Sequence, residues 1–186
     1  MSTVYTLNGK VLKNAANDKW LAKKEGSTFD TITIGNQIWM SSNMAIDDGG
    51  DGISIVNDVT ANNVNFGTVY YYSQSAAERI VQSLASQGWR LPTSTDYQTL
   101  VSSAGSYNAI RSTSGWDNGS NGTNTSGFNM IPVGRYTGSV SNAGACCPMR
   151  TSSNLVCVGY TSGFTNSTQS AFMNNGCIVR LVKDVS

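Results

Sequence analysis

The sequence predicts an α+β domain in which strands come first, two helices follow, and further strands with long loops complete the chain. Three observations support this prediction. Two short alternating runs flank glycine-containing turns near the N-terminus, two capped amphipathic segments follow, and no helical period recurs after them although short apolar runs continue. With 186 residues, the chain has the length of one ordinary domain plus a short appendage.

The first element is a predicted β-hairpin. Residues 4–7 and 10–12 flank Asn8-Gly9, a pair that favours a type I′ turn because both residues tolerate positive φ. The polar, lysine-containing stretch 14–28 follows and is typical of a linker. We therefore assign residues 1–28 to an N-terminal hairpin and linker, and residues 29–186 to the main domain.

A second hairpin opens the main domain. Residues 31–34 and 37–40 alternate around Gly35-Asn36, where glycine in the first position favours a type II′ turn.

Two helices are predicted next. Ser75-Ala76-Ala77-Glu78 has the spacing of a capping box, so we expect the first helix to begin near Ser75 and to end at Gly88, which supplies a left-handed residue. Its apolar stripe comprises Ala76, Ala77, Ile80, Val81 and Leu84. Thr93-Ser94-Thr95-Asp96 forms a second cap, and the helix that follows should bury Tyr97, Leu100 and Val101.

Three strands are expected in the remainder of the chain, at residues 128–133, 155–160 and 177–182. The connections between them are long and rich in Asn, Ser, Thr and Gly. Loops of this length inside a compact domain often carry function.

The composition excludes several classes of function. Charged residues make up 12% of the chain and the net charge is +1, so no basic field is available to bind nucleic acid. No apolar run is long enough to span a membrane, and we expect neither membrane insertion nor a secretion signal. Histidine is absent, which excludes Ser-His-Asp and Cys-His catalysis and histidine-metal centres. We therefore expect no enzyme activity and no cofactor.

Four motifs in order carry a resemblance to a known family. They are the stretch 32–40 with Asn43-Met44, the segment 88–93 with the sequence GWRLPT, Gly127-Phe128 with Pro132 and Gly134-Arg135-Tyr136, and the stretch 179–184. Together they resemble the Fibrobacter succinogenes major paralogous domain over roughly residues 29–184. The resemblance implies a C-type-lectin-like fold, related to the variable proteins of diversity-generating retroelements and more distantly to formylglycine-generating enzymes. Members occur as bacterial surface domains and as phage structural or receptor-binding proteins.

The chain departs from this family at two cysteines. Members often carry cysteines where this sequence has Ala85 and Leu181, and the resemblance implies that the two are paired there. The absence of both cysteines of this pair fits folding in a reducing compartment, where a disulfide would not persist.

Four cysteines remain: Cys146, Cys147, Cys157 and Cys177. The vicinal pair does not follow the spacing of zinc ligands, and we expect neither of its thiols to be catalytic. We interpret all four as small buried hydrophobic residues. A single disulfide from Cys157 or Cys177 is the alternative.

One acidic cluster resembles a calcium loop. Asp47, Asp51, Gly52 and Asp58 fall at positions of an EF-hand-like loop, but Gly49 breaks the pattern. The calcium motifs of sugar-binding lectins are also absent from the sequence. We therefore expect a solvated loop and no metal.

A contact surface is the predicted functional feature. Aromatic residues lie among short polar residues, a mixture that resembles antibody loops, and the segment 154–175 is its expected position. For Trp116 and Tyr160 the alternative is that they fill the core. The candidate ligand-binding residues are Trp116, Asn154, Tyr160, Ser162, Phe164, Asn166, Ser167 and Asn174.

The resemblance and these residues together indicate a non-enzymatic adhesion module of a phage virion, in a tail or head fibre, which binds a glycan or protein on the host surface. The N-terminal segment would attach it to other virion proteins, and by analogy with fibrous appendages we expect a homo-oligomer, with a trimer favoured. The virion, assembled in the host cytoplasm, is the expected location, ahead of a bacterial cell surface. The alternative function is a structural decoration or fibre subunit whose loops contact only other subunits.

Overall fold

The computed structural model describes residues 5–7, 10–12, 29–153, 156–167 and 176–185. The fold is α+β, as predicted. The helices are α1 (Gln74–Leu84), α2 (Ser94–Ser103) and α3 (Tyr107–Ile110), and short 3-10 turns lie at Ala85–Gln87 and Asp117–Gly119. None of the helices in these ranges is long and apolar enough to cross a bilayer.

The strands are short and belong to several small antiparallel sheets. In chain order they are β1 (Tyr5–Leu7), β2 (Lys10–Leu12), β3 (Thr31–Ile34), β4 (Gln37–Met40), β5 (Ile53–Val56), β6 (Thr60–Ala61), β7 (Val64–Asn65), β8 (Val69–Tyr72), β9 (Arg135–Tyr136), β10 (Val140–Ser141), β11 (Cys146–Arg150), β12 (Val156–Tyr160), β13 (Gly163–Ser167) and β14 (Val182–Asp184).

Both predicted hairpins are present. β1 pairs with β2 in a register that joins Leu7 to Lys10, so two residues form the connection, as predicted. Asn8-Gly9 itself and the linker 14–28 lie outside the described residues. β3 pairs with β4 around Gly35, whose φ of +60° fits the predicted type II′ turn.

The second hairpin becomes part of a three-stranded sheet in which β4 is central, because β14 pairs with the side of β4 that does not face β3. The register places Val182 opposite Trp39. The two ends of the main domain therefore lie side by side.

The first helix begins two residues earlier than the sequence predicts, and the predicted capping box at Ser75 is wrong. Ser73 is the N-cap, and its hydroxyl accepts a hydrogen bond from the Ala76 amide at 3.2 Å. The Ser73 amide bonds to the carbonyl of Gly52 at 2.8 Å, which holds Ser73 in the extended conformation that an N-cap needs. Glu78 accepts a hydrogen bond from Gln74 instead of reaching back to a cap.

The end of this helix and the start of the next agree with the prediction. A 3-10 turn extends α1, and Gly88 then adopts a φ of +80°. At α2, the Thr93 side chain accepts from the Asp96 amide while the Asp96 carboxylate accepts from the Thr93 amide, so the capping box is complete.

The core has two main parts. One contains Trp39, Tyr97, Leu100 and Phe128, and residues of β8 and β11 pack with them. The other contains the apolar stripe of α1 together with Trp89, Leu91, Val179 and Leu181. Alternate residues of β8 serve the two parts, since Tyr71 belongs to the first and Tyr70 and Tyr72 to the second.

The second half of the chain agrees less closely with the prediction. Residues 128–133 do not form a strand, because Asn129 adopts a φ of +54° and interrupts the extended backbone. Only Met130 makes a bridge there, with Arg111. The strand expected at 155–160 is β12, and the one expected at 177–182 consists of isolated bridges that precede β14. The sequence also failed to predict α3, which spans a single turn.

Polar contacts connect the sequence motifs to one another. The Asp96 carboxylate accepts hydrogen bonds from Gln37 at 2.9 Å and from Arg90 at 2.6 and 2.9 Å. Arg180 donates to the carbonyl of Phe128 and to Asn43. Side-chain hydrogen bonds therefore join motifs that are distant in the sequence.

Candidate ligand-binding surface

The β12–β13 hairpin carries the predicted contact residues that the structure describes, apart from Trp116. It extends from β11 in a three-stranded antiparallel sheet of order β11-β12-β13. Tyr160 pairs with Gly163, so Thr161 and Ser162 form a two-residue turn at the tip. Tyr160, Ser162 and Phe164 therefore lie in one hairpin.

These residues differ in exposure. Ser162 and Thr165 are exposed, whereas Tyr160 and Phe164 are half-buried. The Phe164 ring packs inward, with its centroid 5.4 Å from that of Tyr97 and 5.9 Å from that of Tyr107. Phe164 therefore anchors the hairpin to the core, while Ser162 and Thr165 face solvent.

The remaining predicted residues fall at the limits of the described chain. Asn166 and Ser167 are residues of β13, for which the structure describes the backbone and not the side chains. Asn154 and Asn174 lie outside the described residues altogether. Their proposed contact with ligand stays a prediction.

Two residues that the sequence did not indicate hold the hairpin tip from below. The Tyr107 hydroxyl donates to the carbonyl of Tyr160 at 2.7 Å, and Arg111 donates to the carbonyl of Thr161 at 2.9 Å. The Arg111 guanidinium also lies 4.8 Å from the centroid of the Tyr107 ring. Burial raises the pKa of Tyr107, so its hydroxyl keeps the proton that it donates. The hydrogen bonds from Tyr107 and Arg111 therefore hold the backbone of the hairpin tip in place.

We expect Tyr107→Phe to loosen the tip without unfolding the domain. The substitution removes one hydrogen bond worth about 1 kcal/mol and leaves the ring in place, so amide hydrogen exchange in 160–164 should accelerate about fivefold. Amides of β5 serve as an internal reference and should keep their rates. Unchanged exchange at the tip would show that the Tyr107 hydroxyl does not hold it.

Trp116 does not belong to this surface. Its side chain is 2% exposed and its indole nitrogen donates to the Ser112 hydroxyl at 3.0 Å. It packs in the core with Trp39 and Val133. Of the two interpretations that the sequence left open for Trp116, the structure supports core packing, because a buried ring offers no contact area to a ligand.

The described cysteines are buried and reduced. Cys146, Cys147 and Cys177 are reduced thiols with 0% exposure, which confirms their interpretation as small buried residues, and the disulfide alternative does not hold for Cys177. Burial raises the pKa of Cys146 and that of Cys177 each to about 11. All three are thiols at neutral pH, because burial also raises the pKa of Cys147. The Cys157 side chain lies outside the description.

The acidic loop is only partly solvated, so the expectation for it is wrong at Asp48. Asp48 is 8% exposed and forms an ion pair with Arg79 at 2.6 Å. The Asp47 carboxylate accepts from the Gly49 amide within its own turn. Asp48 therefore attaches the loop to α1, and Asp47 stabilises the turn of the loop.

A cavity of about 550 Å³ runs along α1, between Val81, Ala85, Trp89 and Leu91. Three charged groups line it: Arg90 and Asp96 are paired with each other, and Glu78 accepts a hydrogen bond from Gln74. Ala85 lines this cavity.

The comparisons with known proteins agree with the resemblance of the motifs. No curated protein and no solved structure matches the chain. The model of the Fibrobacter succinogenes major domain matches residues 32–176, which include all of the β3–β4 hairpin except its first residue, together with α1, α2 and the β12–β13 hairpin. The chain therefore belongs to the Fibrobacter succinogenes major domain family.

Proposed function

We propose that the protein is a non-enzymatic ligand-binding module of a phage virion, which presents the β12–β13 hairpin and its adjoining loops to a glycan or protein on the host surface. The observation that supports it is the construction of the hairpin: Ser162 and Thr165 face solvent, while Tyr107 and Arg111 fix the backbone beneath them. A preorganised loop loses less conformational entropy when it binds.

The chemistry of the side chains also favours binding over catalysis. The chain contains no histidine. Reactive cysteines act as thiolates, and burial keeps Cys146, Cys147 and Cys177 protonated. Histidine is thus absent from the chain, and these three cysteines are not in the thiolate form that nucleophilic catalysis needs.

Attachment and assembly complete the proposal. The N-terminal hairpin β1–β2 would dock the module to other virion proteins, and the module would act as a homotrimer, since fibrous virion appendages are commonly trimeric.

Charge placed on the hairpin tests the proposal. We expect Ser162→Arg and Thr165→Arg each to weaken binding at least about tenfold on an array of host-surface glycans and on whole host cells, because each large cation occupies the contact surface. Ser102→Arg and Thr99→Arg introduce the same charge at exposed positions of α2 and should bind normally. Equal binding by all four variants would refute a contact role for the hairpin.

One observation favours the structural alternative. β13 is the edge of the described sheet β11-β12-β13, and an edge strand offers unpaired backbone groups to another chain. If the hairpin contacts only neighbouring subunits, Thr165→Arg should dissociate the oligomer in size-exclusion chromatography while Thr99→Arg leaves it intact.

A further inference from the structure

A cavity of about 200 Å³ lies on a different part of the molecule from the hairpin. Its walls come from the segment 42–45, from Phe66 and the start of β8, and from residues near Asn129, with Arg180 among the lining residues. Thr68 and Asn129 are exposed and line the cavity, so it opens to solvent. We call it the Arg180 cavity.

Arg180 is the only cation that lines this cavity, and it is 2% exposed. One terminal nitrogen donates to the carbonyl of Phe128, and the other donates to Asn43 Oδ1 at 2.8 Å. The guanidinium lies 4.3 Å from the centroid of the Phe128 ring. These contacts hold the group, and no carboxylate of the described ranges forms an ion pair with it.

The charge is nevertheless present at neutral pH. Burial lowers the pKa of Arg180 only to about 10. Burial also raises the pKa of the neighbouring Cys147, so this thiol supplies no negative charge at neutral pH. A buried cation without an anion is costly unless hydrogen bonds or a counterion compensate it.

Two donors at the cavity have no acceptor within the described chain. The Arg180 Nε and the Ser42 hydroxyl are both buried and make no hydrogen bond there. Both residues line the Arg180 cavity. Buried polar atoms are nearly always satisfied in folded proteins, so a pair of unsatisfied donors at one cavity indicates a missing acceptor.

We propose that the Arg180 cavity binds a carboxylate-bearing ligand, which accepts hydrogen bonds from Arg180 and Ser42. A single negative charge neutralises the single guanidinium. A phosphate dianion would leave excess negative charge in an enclosed site that holds no second cation. Met44, Phe66 and Ile131 provide apolar walls for the rest of the ligand. The site is independent of the hairpin and of the proposed display function.

Acetate is the first probe, followed through the side-chain Nε–H signal of Arg180 in ¹⁵N-edited NMR. We expect a saturable shift with a half-saturation on the order of 10 mM or lower. Acetamide, which has the same shape without the charge, should produce no saturable shift. The Nε–H signal of Arg79, whose guanidinium is already paired with Asp48, is the internal control and should not move.

Variants and competing anions decide the assignment. Ser42→Ala should weaken acetate binding about fivefold and leave the fold intact, because it removes one donor from a half-buried position. Absence of saturation up to about 100 mM acetate, an equal response to acetamide, or tighter binding of inorganic phosphate would each overturn the proposal.

The source of the carboxylate is tested with a sugar acid. Binding of glucuronate at least about tenfold tighter than acetate would support the site and identify the carboxylate as part of an acidic sugar. Equal or weaker binding of glucuronate, with acetate still saturating, would support the site for a free small acid. If the protein binds host cells but its Arg180 signal shows no saturable shift with acetate, the Arg180 cavity is refuted as a ligand site and the proposed function is not.

Discussion

Replacing Asp96 by Ala should destabilise the domain by about 3 kcal/mol, because one carboxylate satisfies four groups. Arg90 donates to it at 2.6 and 2.9 Å, Gln37 at 2.9 Å, and the amide and hydroxyl of Thr93 at 2.6 and 2.7 Å. Its removal leaves Gln37, which is 4% exposed, without a partner for its amide and also breaks the capping box of α2. Urea unfolding followed by circular dichroism measures the loss.

Asp184→Asn is the matched control. Asp184 contacts the same Arg90 at 3.2 Å, but its side chain is 73% exposed. Exposed ion pairs contribute little, so this variant should lose less than about 0.5 kcal/mol. Similar losses from the two substitutions would show that the Arg90 charge, rather than the buried network, matters.

The same network predicts the acid sensitivity of the domain. Burial alone would raise the pKa of Asp96, but hydrogen bonds from Arg90 and Thr93 outweigh it and hold the pKa well below the ordinary value of 3.8. A carboxylate with a lowered folded-state pKa contributes stability that is complete above its unfolded value and declines as pH falls below it. Stability should therefore fall from about pH 4 downward, and Asp96→Asn should flatten that decline.

The second large effect is expected at Trp39. Its side chain is fully buried, its ring centroid lies 5.3 Å from that of Tyr97 and 5.4 Å from that of Phe128, and its indole nitrogen donates to Gln37 at 3.2 Å. Trp39→Ala should cost about 4 kcal/mol through lost apolar contact and the cavity left behind. That is a large part of the stability of an ordinary domain.

Trp39→Phe separates the ring from the hydrogen bond and should lose about half as much. Because Gln37 bonds to both Trp39 and Asp96, the double variant of Trp39→Ala with Asp96→Ala should lose less than the two single losses added together. Strict additivity would show that Gln37 does not couple the two residues.

The sequence predicts those elements whose signals are local. The β3–β4 hairpin follows from Gly35 and from the alternation of apolar and polar residues on both sides of it. α2 follows from Thr93 and Asp96, each of whose side chains accepts a hydrogen bond from the backbone amide of the other. Each of these needs only residues within a few positions. No distant partner is required to select them.

The sequence-based predictions are wrong where a residue distant in the sequence determines the local structure. Ser73 and Ser75 are both suitable caps by sequence, and the carbonyl of Gly52 selects Ser73. Residues 128–133 have strand composition, yet Met130 pairs with the backbone on either side of Arg111, at Ile110 and Ser112, and no regular ladder continues from it. Tertiary contacts override the local pattern at both places.

The candidate surface shows the same division. Ser162 in a polar turn could be predicted because composition reports exposure. The support from Tyr107 and Arg111 could not, because it depends on backbone carbonyls of the hairpin, which carry no sequence signal. The burial of Trp116 depends equally on neighbours from distant parts of the chain.

The position of β4 between β3 and β14 also has a consequence for synthesis. During translation β3 can pair with β4 at once, but almost the whole domain must leave the ribosome before Val182 can pair with Trp39. Contacts between such distant residues close slowly because the intervening chain must first be confined. Until then one edge of β4 is unpaired, and an unpaired strand edge favours pairing between neighbouring nascent chains.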